Sequence, residues 1–459
     1  MSTYDPLEDL QAYANSVIRE QRIPAVSLAI WKDGKLHQAA AGVANLVTGA
    51  PATTDSIFQI GSITKVMTTC LIMQLVDEGK VDLDTPVKHY VRDFRIADAR
   101  ATRTITVRQL LNHTNGIAGD FFPDDHGDEG NLLARYVDRC NLLPLVHPVG
   151  ALYSYSNSAF AIAGRLVEIV RGMSWYQAMH DFIYTPLGMT HAIADPKDVL
   201  RFSTAMGHVF DGTNTEHWVL PERVYLTMGM APVGTTPNMR AVDLITFARA
   251  HLDGGLSASG QRWLSQSSVE AMQRPQLELP KTSQIAHKQA GLGWALSQYT
   301  SNGTTVVGHA GATIGFLAML QLVPAHNAAF AVQLNGFRPA ALEAITNALL
   351  QSVAGVDAQE PPPPSIPVNP VALQRYIGHY ESFDAAIDVA SGNDGLTAHI
   401  VYKIDPLPPL DLTLKPVEGN CFATYLPNGD RGRNLAFVAD ESTGNPQYLF
   451  YGTRLNTRC

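Results

Sequence analysis

FQIGSITKVMTTCLIMQLVDEGK, residues 58–80, decides how the whole chain is read. Ser62 and Lys65 stand three residues apart, which places them on one face of a helix, about one turn from each other. Gly61 opens the segment, an apolar run through Val66, Met67, Leu71, Ile72, Leu75 and Val76 carries it, and Gly79 stops it. Ser62 then lies at the positive end of the helix dipole, with Lys65 directed at its hydroxyl. A serine is a poor nucleophile until a neighbour takes its proton, and a lysine does so only when burial leaves its amine neutral. The spacing provides proximity and the apolar face provides desolvation. Read alone, Ser-x-x-Lys is more often a helix cap followed by a solvated lysine, so the reading needs support from elsewhere in the chain.

Two further stretches supply it. Residues 150–170, GALYSYSNSAFAIAGRLVEIV, put Tyr155-Ser156-Asn157 at a loop-to-helix junction, because Phe160, Ile162, Ala163, Leu166 and Val167 begin a strongly apolar helix. A tyrosine at such a junction is usually packing, and Ser or Asn usually a cap. The functional alternative is a proton relay through Tyr155, with Asn157 holding a substrate carbonyl or the lysine. Residues 304–324, TTVVGHAGATIGFLAMLQLVP, carry His309-Ala310-Gly311 and read as a strand, a turn and a second strand from Phe316 to Val323. Gly311 would let another backbone come close at the strand edge.

With these three motifs, in this order, the chain resembles the serine β-lactamase and penicillin-binding-protein superfamily, in its class C-like branch of esterases and D-peptidases. VRQLLNHTNGI (107–117) and PLGMTH (186–191) are similar to the family's segments after the active-site helix and at its mid-domain turn. The resemblance covers roughly residues 6 to 355. It implies an acyl-enzyme on Ser62, with neutral Lys65 as base and Tyr155 carrying the proton to the leaving group. Asn157 would position Lys65 and the substrate amide. The backbone N–H groups of Ser62 and Ala312, beside Gly311, would hold the oxyanion. His309 stands where β-lactamases keep a lysine, so weak β-lactam hydrolysis at most is expected. It would support the Tyr155–Lys65 network or bind a substrate carboxylate. Lys281-Thr282-Ser283 lacks the glycine of the third motif and reads as a loop; His113 reads as structural.

The chain has 459 residues, 46% of them hydrophobic and 16% charged, with a net charge of −9. That is an ordinary globular composition, and the acidic balance without a basic run argues against nucleic acid or a membrane surface as partner. Cys70, Cys140, Cys421 and Cys459 lack metal-ligand spacing and suit a reducing compartment. The fifteen histidines include no HExxH or comparable cluster, so neither a metal nor a cofactor is expected. The acidic, amphipathic N-terminus reads as a surface helix rather than a leader, and no run reaches the roughly 18 apolar residues of a membrane span. A cytoplasmic protein is the expectation, with oligomerisation left open.

Residues 24–48 alternate around Asp33-Gly34, a hairpin signal, residues 80–290 are mostly helices and long loops, and strands return at about 291–335 before a closing helix. This predicts an α+β domain over 1–355, an antiparallel sheet built from both ends with a helical lobe inserted. The Pro-rich residues 356–370 read as a semi-rigid linker. Residues 371–459 read as about eight short strands separated by turns such as Asn-Asp-Gly, Asn-Gly-Asp and Thr-Gly-Asn, a small up-and-down barrel. Its likeness to the lipocalin-like C-terminal domain of some peptidases and peptide cyclases of the superfamily implies either a stabilising or a substrate-contacting role. Arg454, near the last strand, is the candidate to bind a peptide's terminal carboxylate.

GDFFPDDHGDEGNLLARYVDRC (119–140) and the barrel together resemble D-residue peptidases and the penicillin-binding-protein-type thioesterases that cyclise nonribosomal peptides. The expectation is therefore a serine acyl-transfer enzyme on peptide, peptidyl-ester or peptidyl-thioester substrates containing D-residues. A nonribosomal peptide synthetase carrier domain is the implied partner. A carboxylesterase is the alternative. A non-catalytic peptidoglycan-binding module is disfavoured, because every catalytic position holds a competent residue.

Overall fold

A computed structural model describes residues 5–124, 129–211, 217–364, 366, 369–392, 395–403, 408–440 and 443–459. The Asn393-Asp394 part of one expected hairpin turn and residues 125–128 of the 119–140 stretch lie outside them.

The N-terminal helix α1 (Leu10–Gln21) starts where the Asp9 carboxylate accepts from Ala12 N at 2.8 Å. β1 (Ala25–Lys32) and β2 (Lys35–Asn45) follow as a hairpin, with Asp33 and Gly34 at φ 50° and 76°, the left-handed pair that a type I′ turn demands. β3 (Ala50–Pro51) ends this group. The long middle contributes two short pairs, β4 (Phe58–Gln59) with β7 (Asn238–Met239) and β5 (Val209–Phe210) with β6 (Trp218–Val219). β8 (Leu277–Glu278), β9 (Ala286–Ala290), β10 (Ala295–Tyr299), β11 (Thr305–Thr313), β12 (Phe316–Val323) and β13 (Ala328–Leu334) then complete the main sheet. Its order is β3-β2-β1-β13-β12-β11-β10-β9-β8, the antiparallel sheet joined from both ends of the domain.

The period-two alternation of the central strands explains the layering. Val26, Leu28 and Ile30 of β1, with Phe330, Val332 and Leu334 of β13, pack under α1 and the helix Pro339–Ala354. Ala29, Ala329 and Ala331 face the other way into the core of the helical lobe, where small side chains let a helix approach closely. At the centre of that lobe lies α2 (Thr64–Asp77). Val66, Met67, Cys70, Leu71, Ile72, Met73 and Leu75 are all buried, as are Thr64, Thr68, Thr69 and Gln74, so the helix is covered around its whole circumference and solvent is excluded from it. Each such apolar side chain contributes about 1.5–3 kcal/mol by leaving water. Lys65 is buried along with them.

The tail closes into a barrel of β14 (Gly378–Glu381), β15 (Ala385–Gly392), β16 (Gly395–Tyr402), β17 (Leu410–Glu418), β18 (Cys421–Tyr425), β19 (Leu435–Ala439), β20 (Pro446–Tyr451) and β21 (Arg454–Arg458). Tyr376, Tyr380, Phe422 and Phe437 fill its interior with ring centroids 4.6–5.5 Å apart, so the lumen is a packed core. Residues before the barrel are fastened to the first domain: Glu360 accepts from Gln284 N at 3.0 Å and from the Ser283 hydroxyl. The stretch holding Lys281-Thr282-Ser283 is a loop. All four cysteines are free thiols. Among the described residues no helix is long and apolar enough to cross a membrane.

Candidate active site

Ser62 lies in a single 3-10 turn, Gly61–Ile63, that leads straight into α2. Gly61 has φ +53°, and a Cβ there would stand 2.5 Å from Ala312 N. A Cβ on Gly311 would stand 1.9 Å from Ile60 O. Two glycines therefore let the backbone of β11 press against the nucleophile's turn, bringing the amides of Ser62 and Ala312 together. β11 pairs with β12 through Thr313, whereas its pairing with β10 stops at Gly308. Among the described residues, the edge from His309 to Thr313 on the β10 side thus has no partner strand of the sheet beside the nucleophile.

Lys65 Nζ lies 2.8 Å from Ser62 Oγ and donates to Val233 O at 2.9 Å. Desolvation, reinforced by the charge of Arg454 and opposed by that of Asp120, pushes its pKa well below the ordinary lysine value. A lysine held this way keeps a lone pair for the serine proton. Nζ also sits 4.9 Å from the centre of the Tyr155 ring. Burial raises the Tyr155 phenol, against a lowering hydrogen bond with Ser62, so the phenol is protonated at neutral pH. That suits a relay rather than a base.

Ser156 caps the helix Asn157–Arg171 by accepting from Ala159 N at 3.2 Å, which fixes Tyr155 and Asn157 at the junction the sequence indicates. The Asn157 side chain donates to Asp120 Oδ1 at 2.6 Å, while Lys65's hydrogen bonds run to Ser62 and Val233. His309 is buried, its ring centre 6.1 Å from that of Tyr155. Its Nδ1 donates to Ala310 O at 2.6 Å, since a carbonyl only accepts, and this leaves Nε2 as an acceptor. Burial pushes its pKa down to about 4, against a raising hydrogen bond with Ala310, so the ring is neutral at neutral pH.

Arg454 reaches this site from the barrel. Its Nη2 donates to Asp120 Oδ1 at 2.9 Å, Nε pairs with Oδ2, and its guanidinium carbon lies 5.0 Å from the Tyr155 ring centre. Nη1 is turned back to Gly452 O at 3.1 Å. The preceding residue takes part as well: Thr453, at φ 74°, accepts the backbone N–H of Tyr155 through its carbonyl at 3.0 Å. Ser62, Lys65, Tyr155, Asn157, His309, Gly311, Ala312 and Arg454 are thus brought into one site.

Three contributors carried no sequence signal strong enough to single them out. Asp120 links Asn157 to Arg454, and Thr453 holds the Tyr155 backbone. His113, read from sequence as structural, stacks on Tyr155 at 4.3 Å and accepts from Ser156 N at 3.0 Å. Burial, with the charge of Arg454, keeps the His113 ring neutral. Its place inside LLNHTNG is the sequence sign it offers, and in the structure it takes φ 61°.

The sequence profile of the family described as Beta-lactamase fits residues 8–355. The chain is 38% identical over 366 residues to penicillin-binding protein 4 of Amycolatopsis lactamdurans, spanning 79% of this chain and 94% of that protein. It is 24% identical over 314 residues to a putative D-alanyl-D-alanine carboxypeptidase of Escherichia coli O157:H7, spanning 60% of this chain and 68% of that one. The crystal structure of SurE superposes with a TM-score of 0.77 at 27% identity over 97% of both chains, so the likeness includes the barrel. SurE has also been solved with D-Leu.

Proposed function

The chain belongs to the beta-lactamase family, and from that premise we propose that it is a serine acyl-transfer enzyme whose Ser62 attacks the carbonyl of a D-residue in peptide substrates. The observation that carries this reading is the buried Lys65 amine 2.8 Å from Ser62 Oγ. Neutral Lys65 takes the hydroxyl proton as Ser62 Oγ bonds to the carbonyl carbon. The amides of Ser62 and Ala312 receive the oxyanion, and one such donor is worth about 10²–10³ in rate. The proton passes from Lys65 through Tyr155 to the leaving amine, alcohol or thiol. Water or an amine of the peptide itself then attacks the ester, with the same groups running in reverse, which gives hydrolysis or cyclisation. The unpaired edge of β11 suits an extended peptide added as a further strand.

D-configuration is supported by the solved complex of SurE with D-Leu, and by the barrel that the two chains share. Where the donor is a thioester, a nonribosomal peptide synthetase carrier domain is the partner that would deliver it. His309 is neutral and Arg454 is engaged with Asp120, which favours acyl donors without a free carboxylate beside the scissile bond. Simple carboxylic esters fit the same preference and are the competing substrate class.

Matched peptidyl thioesters differing only in the configuration of the acylating residue test the proposal. Intact-mass spectrometry should show one acyl group with the D-form and none in Ser62→Ala. Faster acylation by the L-form, or acylation of another serine, would overturn it.

A further inference from the structure

The barrel carries a second cluster of reactive side chains at the seam where it closes. β14 joins β21 through the pairs Tyr380–Arg458 and Glu381–Thr457, and Cys459 N donates to His379 O at 3.0 Å just beyond them. His379 and Glu381 are two residues apart on β14 and therefore share a face. Cys459 is exposed, whereas Cys70, Cys140 and Cys421 are buried. A nitrogen of His379, a carboxylate oxygen of Glu381 and the sulfur of Cys459 all lie within 4.8 Å of one another.

The orientations of His379 and Glu381 are set by neighbours. Asp388 Oδ1 accepts from His379 Nδ1 at 2.7 Å, so Nε2 is the nitrogen turned toward Glu381. Lys403 holds Glu381 Oε1, which directs Oε2 at the other two groups. Oε2 then lies 3.9 Å from Nε2 and 3.7 Å from Sγ, the first too long for a hydrogen bond. Tetrahedral zinc, with bonds of about 2.0 Å to N and O and about 2.3 Å to S, separates its ligands by about 3.3 Å (O to N) and about 3.5 Å (S to O). The Glu381–Cys459 separation is already within about 0.2 Å of that geometry, the Glu381–His379 pair must close by about 0.6 Å, and the nitrogen and the sulfur, no more than 4.8 Å apart, close by rotation of the exposed Cys459 side chain.

We propose that His379, Glu381 and Cys459 form a mononuclear site for a divalent transition metal of the zinc type, with water as fourth ligand, and that the metal ties β14 to β21. The mixed N, S and O donor set selects this class over magnesium or calcium, which take oxygen ligands. Asp388 has the position of the carboxylate that orients a ligating histidine. The ligating form of a thiol is the thiolate, so Cys459 binds by losing its proton. The step balances as thiol plus metal dication giving a metal thiolate and one proton, which leaves to solvent; binding therefore tightens as pH rises. The hydrogen bonds and ion pairs of these three side chains run to Asp388, Lys403, Thr457 and one another rather than to Ser62, Lys65 or Tyr155, so the site is separate from Ser62 chemistry.

Cobalt(II) added to the full-length, reduced protein is the probe. One equivalent should produce an intense near-ultraviolet thiolate-to-cobalt band with visible bands of tetrahedral strength, zinc should erase both, and about one proton should be released. Cys459→Ser should lose the near-ultraviolet band, and His379→Ala should weaken binding by about 10-fold or more. Fluorophosphonate labelling of Ser62 confirms that both variants are folded. Absence of the band in the wild type, or its persistence in Cys459→Ser, would overturn the proposal.

Discussion

Replacing Lys65 by Met tests whether the amine at the centre of the site is neutral, and it does so through stability rather than rate. Lys65 is fully buried and its pKa is held well below 10.5, chiefly by desolvation. The unfolded chain binds a proton at this lysine up to about pH 10.4, whereas the folded chain has released it at a lower pH. Between those two values the unfolded state holds one more proton, so wild-type stability rises by about 1.4 kcal/mol per pH unit from this residue alone. Met matches the volume and carries no proton, so the variant lacks that term while sharing every other titration. Its stability at any single pH is ambiguous, because losing the amine also strands the Val233 carbonyl, at a cost of about 1–3 kcal/mol. The slope is not ambiguous. In equilibrium denaturation at pH 8.0 and pH 9.5, wild type should gain about 2 kcal/mol relative to Lys65→Met. A difference that stays constant over this range would mean that Lys65 has the same charge in both states. A protonated Lys65 could not serve as the base, and the proposed mechanism would fall with it.

Two substitutions probe the rim of the site. Arg454→Ala should lower kcat/KM by about 10²-fold on both a free-carboxylate peptide and p-nitrophenyl acetate, the scale of a small misplacement of catalytic groups, because the arginine holds Asp120 and covers Tyr155; a rise in KM confined to the carboxylate substrate would instead make it a carboxylate anchor. His309→Lys replaces a neutral ring by an amine and should raise β-lactam turnover while lowering that of the peptide substrate, and equal loss on both, measured side by side, would place His309 in the shared proton network.

The Ser62–Lys65 pair was legible because a helix fixes the distance between residues three apart, and the apolar run that follows announces its own burial. Asp33-Gly34 and Gly311 were legible for the same local reason, one as a turn that needs positive φ and the other as a strand position where a Cβ would collide. The ion pair between Asp120 and Arg454 spans 334 residues and leaves no periodic trace. Neither partner looks unlike a surface charge until the chain is folded. Arg454 and Arg458 were equivalent in sequence, both polar positions of one strand. They are separated by four residues, roughly 13 Å along a strand. That distance sends Arg458 to the carbonyls of Arg375 and Ile377 at the barrel seam, while Arg454 enters the cleft.

This separation bears on what the barrel is for. A stabilising domain would bury apolar surface away from the chemistry, and Tyr153, Phe450 and Leu455 do form such a patch beside the site. The β20–β21 turn does more than that. Thr453 O holds the amide of Tyr155, Ser154 Oγ accepts from Leu455 N at 3.2 Å, and Arg454 neutralises the carboxylate that would otherwise raise Lys65. The residue proposed to relay the proton is held through its backbone by the barrel, its ring lies beneath a barrel arginine, and the base is tuned by that same charge. A barrel in this position acts on the reaction by positioning and electrostatics even where it makes no contact with substrate, which is why Arg454→Ala is expected to impair a small ester as much as a peptide.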